Sequence, residues 1–208
     1  QYVQEAYKYK KWAFVSDFCR YFVLFKFGGI YLDTDVEIIK KLDYLPDAFV
    51  GFESEKYVAS GLIRGAKKND EICRLMLESY YNDRFVNKDG SLNLMTVCKR
   101  ETDILLDKGL SLNNKLQIIG ETTIYPKEYF CPKDFFSGKI TITNNTYTIH
   151  HYASSWYSEK ERYAYDVQKY LIKYFGKYMS SIIGASVATL RYDGLLIFIK
   201  KVKSNIIK

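Results

Sequence analysis

Residues 12–37 read WAFVSDFCRYFVLFKFGGIYLDTDVE, and this stretch decides the fold. Aromatic residues and good helix formers predict one helix over residues 4–27. Gly28-Gly29 supplies the left-handed cap just beyond it. Ala13, Asp17, Arg20 and Leu24 follow one another at helical spacing and share a face, so Asp17 and Arg20 can point at the same object. Ile30-Tyr31-Leu32 is a short β-type run that leads into Asp33-Thr34-Asp35-Val36-Glu37. Open α/β sheets build their sites in this way, with ligands beyond the carboxyl ends of strands.

Two acids one residue apart can place oxygens around a hard divalent cation, which in turn neutralises a diphosphate. Other readings of the pair fit less well. A phosphatase of the haloacid dehalogenase type also carries such acids after an apolar strand. It wants Thr or Val two residues past the second Asp, where this chain has Glu37. A calcium-binding EF-hand loop needs Gly at its sixth position and Glu at its twelfth. Here those positions hold Ile38 and Tyr44.

The flanks carry a more specific signal. S-D-x-x-R from Ser16 to Arg20, the glycine pair and the Asp33-Thr34-Asp35 acids recur together in one arrangement. The stretch resembles the DXD sugar-binding region of glycosyltransferase family 32, and a similar arrangement occurs in clostridial glucosylating toxins. The resemblance extends through Gly51-Phe52-Glu53 and YPKEYFCP at residues 125–132 to HHYASSW at residues 150–156.

That resemblance implies an α/β, GT-A-like fold: a Rossmann-like mixed sheet flanked by helices, with Mn2+ or Mg2+ bound beneath the donor diphosphate. Asp35 would bind the metal directly, and Asp33 would touch ribose or reach the metal through water. Asp17 and Arg20 would hold the donor sugar. From the HHYASSW segment, His151 is the candidate third metal ligand, through a neutral imidazole nitrogen. His150 alternates to the other strand face and reads as structural. Ser154 is a candidate donor to a β-phosphate oxygen, and Trp156 a cap on phosphate or sugar. Glu53 and the Ser60-Gly61 turn are weaker candidates for the acceptor side. No residue is assigned as a covalent nucleophile, and the resemblance implies retention at the anomeric carbon. It also implies a further N-terminal strand and helix holding the nucleotide base, so the GT-A-like fold is expected to lack them here. A chain that starts at Gln1 reads as a fragment or a trimmed protein.

The remaining sequence sets the frame. A length of 208 residues suits one domain with an appendage. The expected division is a catalytic domain over 1–157 and a helical, basic and apolar extension over 158–208. A helix is predicted over residues 70–81, an irregular stretch over 82–132, and a hairpin over 141–151 around Asn144-Asn145. The Asn144-Asn145-Thr146 glycosylation sequon is read as a turn. Ser158-Glu159-Lys160-Glu161 is a capping box, opening a helix that stops at Gly176. Residues 177–208 carry no recognised motif and are too interrupted to span a bilayer. They read as an interfacial helix, a packed terminal element or an oligomer contact.

The chain holds 20 Tyr and 13 Phe, which serve cores more often than binding sites. Its net charge of +7 reads either as a solvated positive surface or as attraction to phosphate-bearing substrates or an anionic membrane surface. Nucleic acid is not expected as a partner, since no zinc finger, helix-turn-helix or RNA-recognition signature is present. Cys19, Cys73, Cys98 and Cys131 form no CxxC pair. Cys19 and Cys73 read as buried thiols, with reducing cytosol the default compartment. The family resemblance implies a hexosyltransferase of bacterial surface-polysaccharide assembly (capsule or lipopolysaccharide). Its partners would be a nucleotide-sugar donor and a saccharide or lipid-linked acceptor, at the cytoplasmic face of the membrane. A non-catalytic nucleotide-sugar or glycan binder is the alternative.

Overall fold

The structure is a computed structural model that describes residues 1–58, 63–135, 137–153 and 157–206, with side chains to residue 200. The chain forms two compact units: Gln1–Asp134 with Lys139–Tyr152, and Phe135–Gly138 with Ala153–Lys208.

The first unit is mixed α/β. In chain order it holds helices α1 (Tyr2–Lys8) and α2 (Trp12–Phe27) and strands β1 (Gly29–Leu32), β2 (Val36–Ile38), β3 (Phe49–Gly51) and β4 (Ile63–Ala66). Helices α3 (Glu71–Tyr81) and α4 (Val97–Asp107), strands β5 (Gln117–Ile119) and β6 (Thr122–Tyr125), helix α5 (Lys127–Phe130) and strand β7 (Thr148–His150) follow. Five strands pair in the order β1-β4-β3-β6-β5, and only β3 and β6 run parallel. β2 and β7 form a separate antiparallel pair.

Strand periodicity divides the core between the sheet's two faces. Val50 and Ile124 pack with Tyr21, Leu24, Ile72 and Met76 of the helices, while Phe49 and Ile63 pack with Phe130 and Tyr125 on the other side. With both faces covered, β3 and β4 are buried along their whole length. Much of the aromatic content is spent here. Tyr2 of α1 stands 5.0 Å from Tyr80 and 5.5 Å from Phe85 between ring centroids.

The helix expected over residues 4–27 is two helices. Lys10 adopts φ 56°. Its N–H donates to the Tyr7 carbonyl at 2.9 Å, and the Lys11 N–H donates to the Ala6 carbonyl, also at 2.9 Å. Those two bonds are a Schellman ending with lysine in place of glycine. The cap at Gly28 is as expected, and there glycine is required twice over. Its φ is 70°, and a Cβ would meet the Lys68 nitrogen at 2.8 Å.

The stretch 82–132 is not irregular, since it contains α4, β5, β6 and α5. The buried face of α4 carries Arg100, Glu101 and Thr102 beside Val97 and Leu105, so hydrophobic periodicity is masked by polar residues, two of which form ion pairs inside. Glu101 lies 3.3 Å from the Arg64 guanidinium with both side chains fully buried, and Tyr21 Oη donates to it at 3.0 Å. Arg64 also meets Asp70, the N-cap of α3, at 3.2 Å. Burial works against the Arg64 charge, but Glu101 and Asp70 outweigh it and hold the guanidinium above its ordinary pKa.

The hairpin expected over 141–151 is absent as well. The turn is there: the Thr146 N–H donates to the Thr143 carbonyl at 3.2 Å, and the Thr143 N–H to Thr146 Oγ1 at 3.0 Å. The strand leaving it pairs with β2 instead of folding back. Cys73 is buried as expected, but Cys19 is exposed, on the α2 face opposite the core.

The second unit contains α6 (Glu159–Asp193) and α7 (Leu195–Ile206). Ser158 caps α6 through a full capping box, and Gly176, at φ 68° and ψ 173°, breaks it where the sequence places a helix stop.

Candidate functional site

The site begins where β1 ends. Asp33 follows Leu32 directly, and the Val36 N–H closes a turn by donating to the Asp33 carbonyl at 3.1 Å. Tyr31 and Asp33, two apart on the same strand face, meet through a hydrogen bond from Tyr31 Oη to Asp33 Oδ1 at 2.9 Å.

Helix α2 brings Asp17 and Arg20 to the same place. Arg20 Nη2 lies 3.0 Å from Asp17 Oδ1 and 3.3 Å from Asp33 Oδ1, with the guanidinium 4.7 Å from the Tyr31 ring centroid. Asp17 and Arg20 are only 8% and 6% exposed, so each charge depends on the other. Burial pushes the Asp17 carboxyl up to about 6, with Arg20 pulling it back and Asp33 adding to the rise. Burial opposes the Arg20 charge, but Asp17 and Asp33 outweigh it and raise the guanidinium above its usual range. Nε and Nη1 of Arg20 are buried without a hydrogen-bond partner. A buried donor left without a partner costs free energy that an incoming oxygen ligand would recover.

Strand β7 supplies the rest. Its antiparallel register sets His150 opposite Val36, and the His151 N–H donates to the Asp35 carbonyl at 3.0 Å. His150 Nε2 lies 3.1 Å from Asp35 Oδ1, its Nδ1 is buried without a partner, and its ring packs 4.2 Å from that of Tyr152. Burial lowers the His150 pKa against the pull of Asp35 and Asp33, which favours the neutral, ligating imidazole. One ligand atom from each of Asp33, Asp35 and His150 falls within 4.8 Å of the others. Two carboxylates and an imidazole form a donor set suited to a divalent cation of the manganese or magnesium kind.

This geometry reverses the expected order of the two histidines. His151 reaches Glu37 at 2.8 Å in an exposed pair, while the residue beside the acids is His150. The two rings face opposite ways, and which of them meets the acids depends on β2, the partner strand. Asp17, Arg20, Asp33 and Asp35 come together as expected. Ser154, Trp156 and the Ser60-Gly61 turn lie outside the described residues. The half-buried Glu53 carboxyl meets the Cys98 thiol, and burial raises its pKa. Tyr31 was missed by sequence reasoning, although its place two residues before Asp33 on a strand is the signal that would have found it.

Residues 1–50 match the family described as "Glycosyltransferase sugar-binding region containing DXD motif". Over these residues the chain is similar to a DXD glycosyltransferase region. The match bears out the family 32 resemblance, and the mixed sheet flanked by helices accords with the GT-A-like fold expected of it. Among curated proteins, the chain is similar to lactosylceramide 4-alpha-galactosyltransferase. It is 31% identical to the Mus musculus protein over 147 residues, which are 65% of this chain and 40% of that one. It is 29% identical to the Rattus norvegicus protein over 146 residues, 65% of this chain and 39% of that one. The Pongo pygmaeus protein is 30% identical over 119 residues, 56% of this chain and 51% of that one. The match thus spans about half or less of these relatives' length. No solved structure matches.

Proposed function

We propose that this chain contributes the donor-sugar and cation site of a metal-dependent glycosyltransferase. The reaction would move a hexose from a nucleotide-sugar to a saccharide or lipid-linked acceptor. The observation that carries this reading is the gathering of Asp33, Asp35 and His150 beside the buried Asp17–Arg20 pair.

Asp35 and His150 hold the cation. Asp33 Oδ1 already accepts from Tyr31 and faces Arg20, which favours a water-bridged or ribose role for Asp33. A divalent cation here stabilises the negative charge that develops on the departing nucleoside diphosphate. Arg20 offers its unpartnered Nε and Nη1 to donor oxygens, and Asp17 fixes the guanidinium and accepts from a sugar hydroxyl. Tyr31 holds the Asp33 carboxylate in place from the strand below. Transfer with retention remains the family-level expectation, with no side chain assigned as nucleophile.

The acceptor is a saccharide carried on a lipid. A surface-polysaccharide intermediate, as expected from the sequence, and the glycolipid for which the mammalian relatives are named share that chemistry. Such an acceptor calls for work at a membrane face, and the cytoplasmic face is the one proposed.

A thermal-shift screen of nucleotide-sugars and free nucleotides, with and without Mn2+, tests the reading. Ligands that bind only the folded chain raise its melting temperature. The expected result is a Mn2+-dependent rise with one nucleotide class, lost in Asp35→Ala and Arg20→Ala. A rise that persists in both variants would overturn the assignment.

A further inference from the structure

The charge of the chain is unevenly divided. The second unit holds ten Lys and Arg against four Asp and Glu, which is +6 of the chain's +7. Its four acids, Glu159, Glu161, Asp166 and Asp193, lie near the two ends of α6, and none falls in residues 167–192.

The two halves of α6 run antiparallel about Gly176. A Cβ on Gly184 would meet the Ala164 carbonyl at 2.4 Å, Tyr163 and Tyr192 stand 5.9 Å apart, and Lys160 pairs with Asp193. The acids therefore gather at the open end of the hairpin and the basic segment occupies its tip. Ser180, Gly184 and Ala188, one helical turn apart, are buried, and Gly184 faces the first half. The usual arrangement of a water-soluble helix is inverted here, with small residues inside and large apolar ones outside. Close packing on small residues is what helices use where the surroundings are as apolar as their own side chains.

The tip shows what those surroundings are. Tyr170, Tyr174, Phe175, Tyr178 and Met179 are 69%, 62%, 55%, 77% and 49% exposed. Exposed Lys169, Lys173 and Lys177 are interleaved with them, and Lys173 sits 4.7 Å from the Tyr174 ring centroid. Amphipathic aromatic rings mixed with lysines suit the headgroup layer of a bilayer, with rings at the acyl boundary and ammonium groups among anionic phosphates. No helix among the described residues is long and apolar enough to cross a membrane, so the hairpin would lie in the surface.

We propose that the tip of the α6 hairpin, residues 169–179, is a docking element for an anionic lipid bilayer. It deepens the reading of a lipid-linked acceptor, but its test needs no turnover. The full chain is mixed with vesicles of phosphatidylcholine alone or with a quarter phosphatidylglycerol, and flotation is measured. It should float with the anionic vesicles and not with the neutral ones. The triple variant Lys169→Gln/Lys173→Gln/Lys177→Gln should partition on the order of a hundredfold more weakly, since each surface lysine contributes roughly fivefold. Tyr174→Ser/Phe175→Ser/Tyr178→Ser should abolish flotation while leaving the Mn2+-dependent thermal shift of the first unit unchanged. As a second measurement that keeps the tip apolar, Tyr174→Trp should show a blue-shifted emission, quenched by shallow spin-labelled lipid. Equal flotation on both vesicle types, flotation by the Ser variant, or an unshifted tryptophan would overturn the proposal. So would a lipid-free dimer that the Ser variant dissolves without any vesicle binding by the parent, which would make a second copy the occupant.

Discussion

His150 Nε2 lies 3.1 Å from Asp35 Oδ1, while the neighbouring His151 turns to Glu37. The pairing of β7 with β2 sends consecutive imidazoles to opposite faces, so one ring joins the half-buried acids and the other stays exposed. Two adjacent residues of one type are thus a built-in control for each other.

His150→Ala should weaken Mn2+ binding at least about tenfold, the scale on which metal sites respond to loss of an ordering group. His151→Ala should stay within about twofold, because exposed ion pairs contribute little. Titration calorimetry with Mn2+ alone reads both.

Asp17 links stability to pH. Its carboxyl rises from an ordinary 3.8 to about 6 in the folded chain, with burial the main cause. Folding therefore favours the protonated form, and its contribution is complete below pH 3.8 and fades as pH climbs through 6. The unfolding free energy of Asp17→Asn relative to the parent should increase between pH 4 and 7. Urea titrations at these two pH values check the sign.

Gly28→Ala should destabilise the first unit by about 1–3 kcal/mol, the range for a residue forced into a backbone region it disfavours. The contact a methyl would make with the Lys68 nitrogen adds to that strain. A lowered urea midpoint with an unchanged slope is the expected reading.

Arg64→Met removes the shared partner of Glu101 and Asp70. Leaving a buried carboxylate unpaired costs about 3–5 kcal/mol. Arg64→Met/Glu101→Leu should recover part of the loss, as denaturant unfolding of both variants will show.

What could be read from the sequence was whatever local spacing encodes. Ala13, Asp17, Arg20 and Leu24 declare one helical face without help from distant residues, and Gly28 and the run into Asp33 fix the end of α2 and the start of β1. Features that depend on distant partners were not legible. α4 hides because Arg100 and Glu101 look like surface residues until Asp83 and Arg64 are known to meet them. The choice between His150 and His151 turns on β2, more than a hundred residues earlier, and no periodicity within β7 contains that information. The break at Lys10 is a third kind of miss, since a lysine in the left-handed region carries none of glycine's warning.

The β2–β7 pairing also sets an order in time. Asp35 and His150 are 115 residues apart, so a growing chain presents the acid pair long before its imidazole exists. On the ribosome, Asp33 and Asp35 stand beside Tyr31 and Arg20 with no imidazole among them. The third donor arrives after the five-stranded sheet has already been synthesised. A nascent chain stalled before β7 therefore carries the Asp33-Thr34-Asp35 motif without the imidazole that meets it in the folded chain.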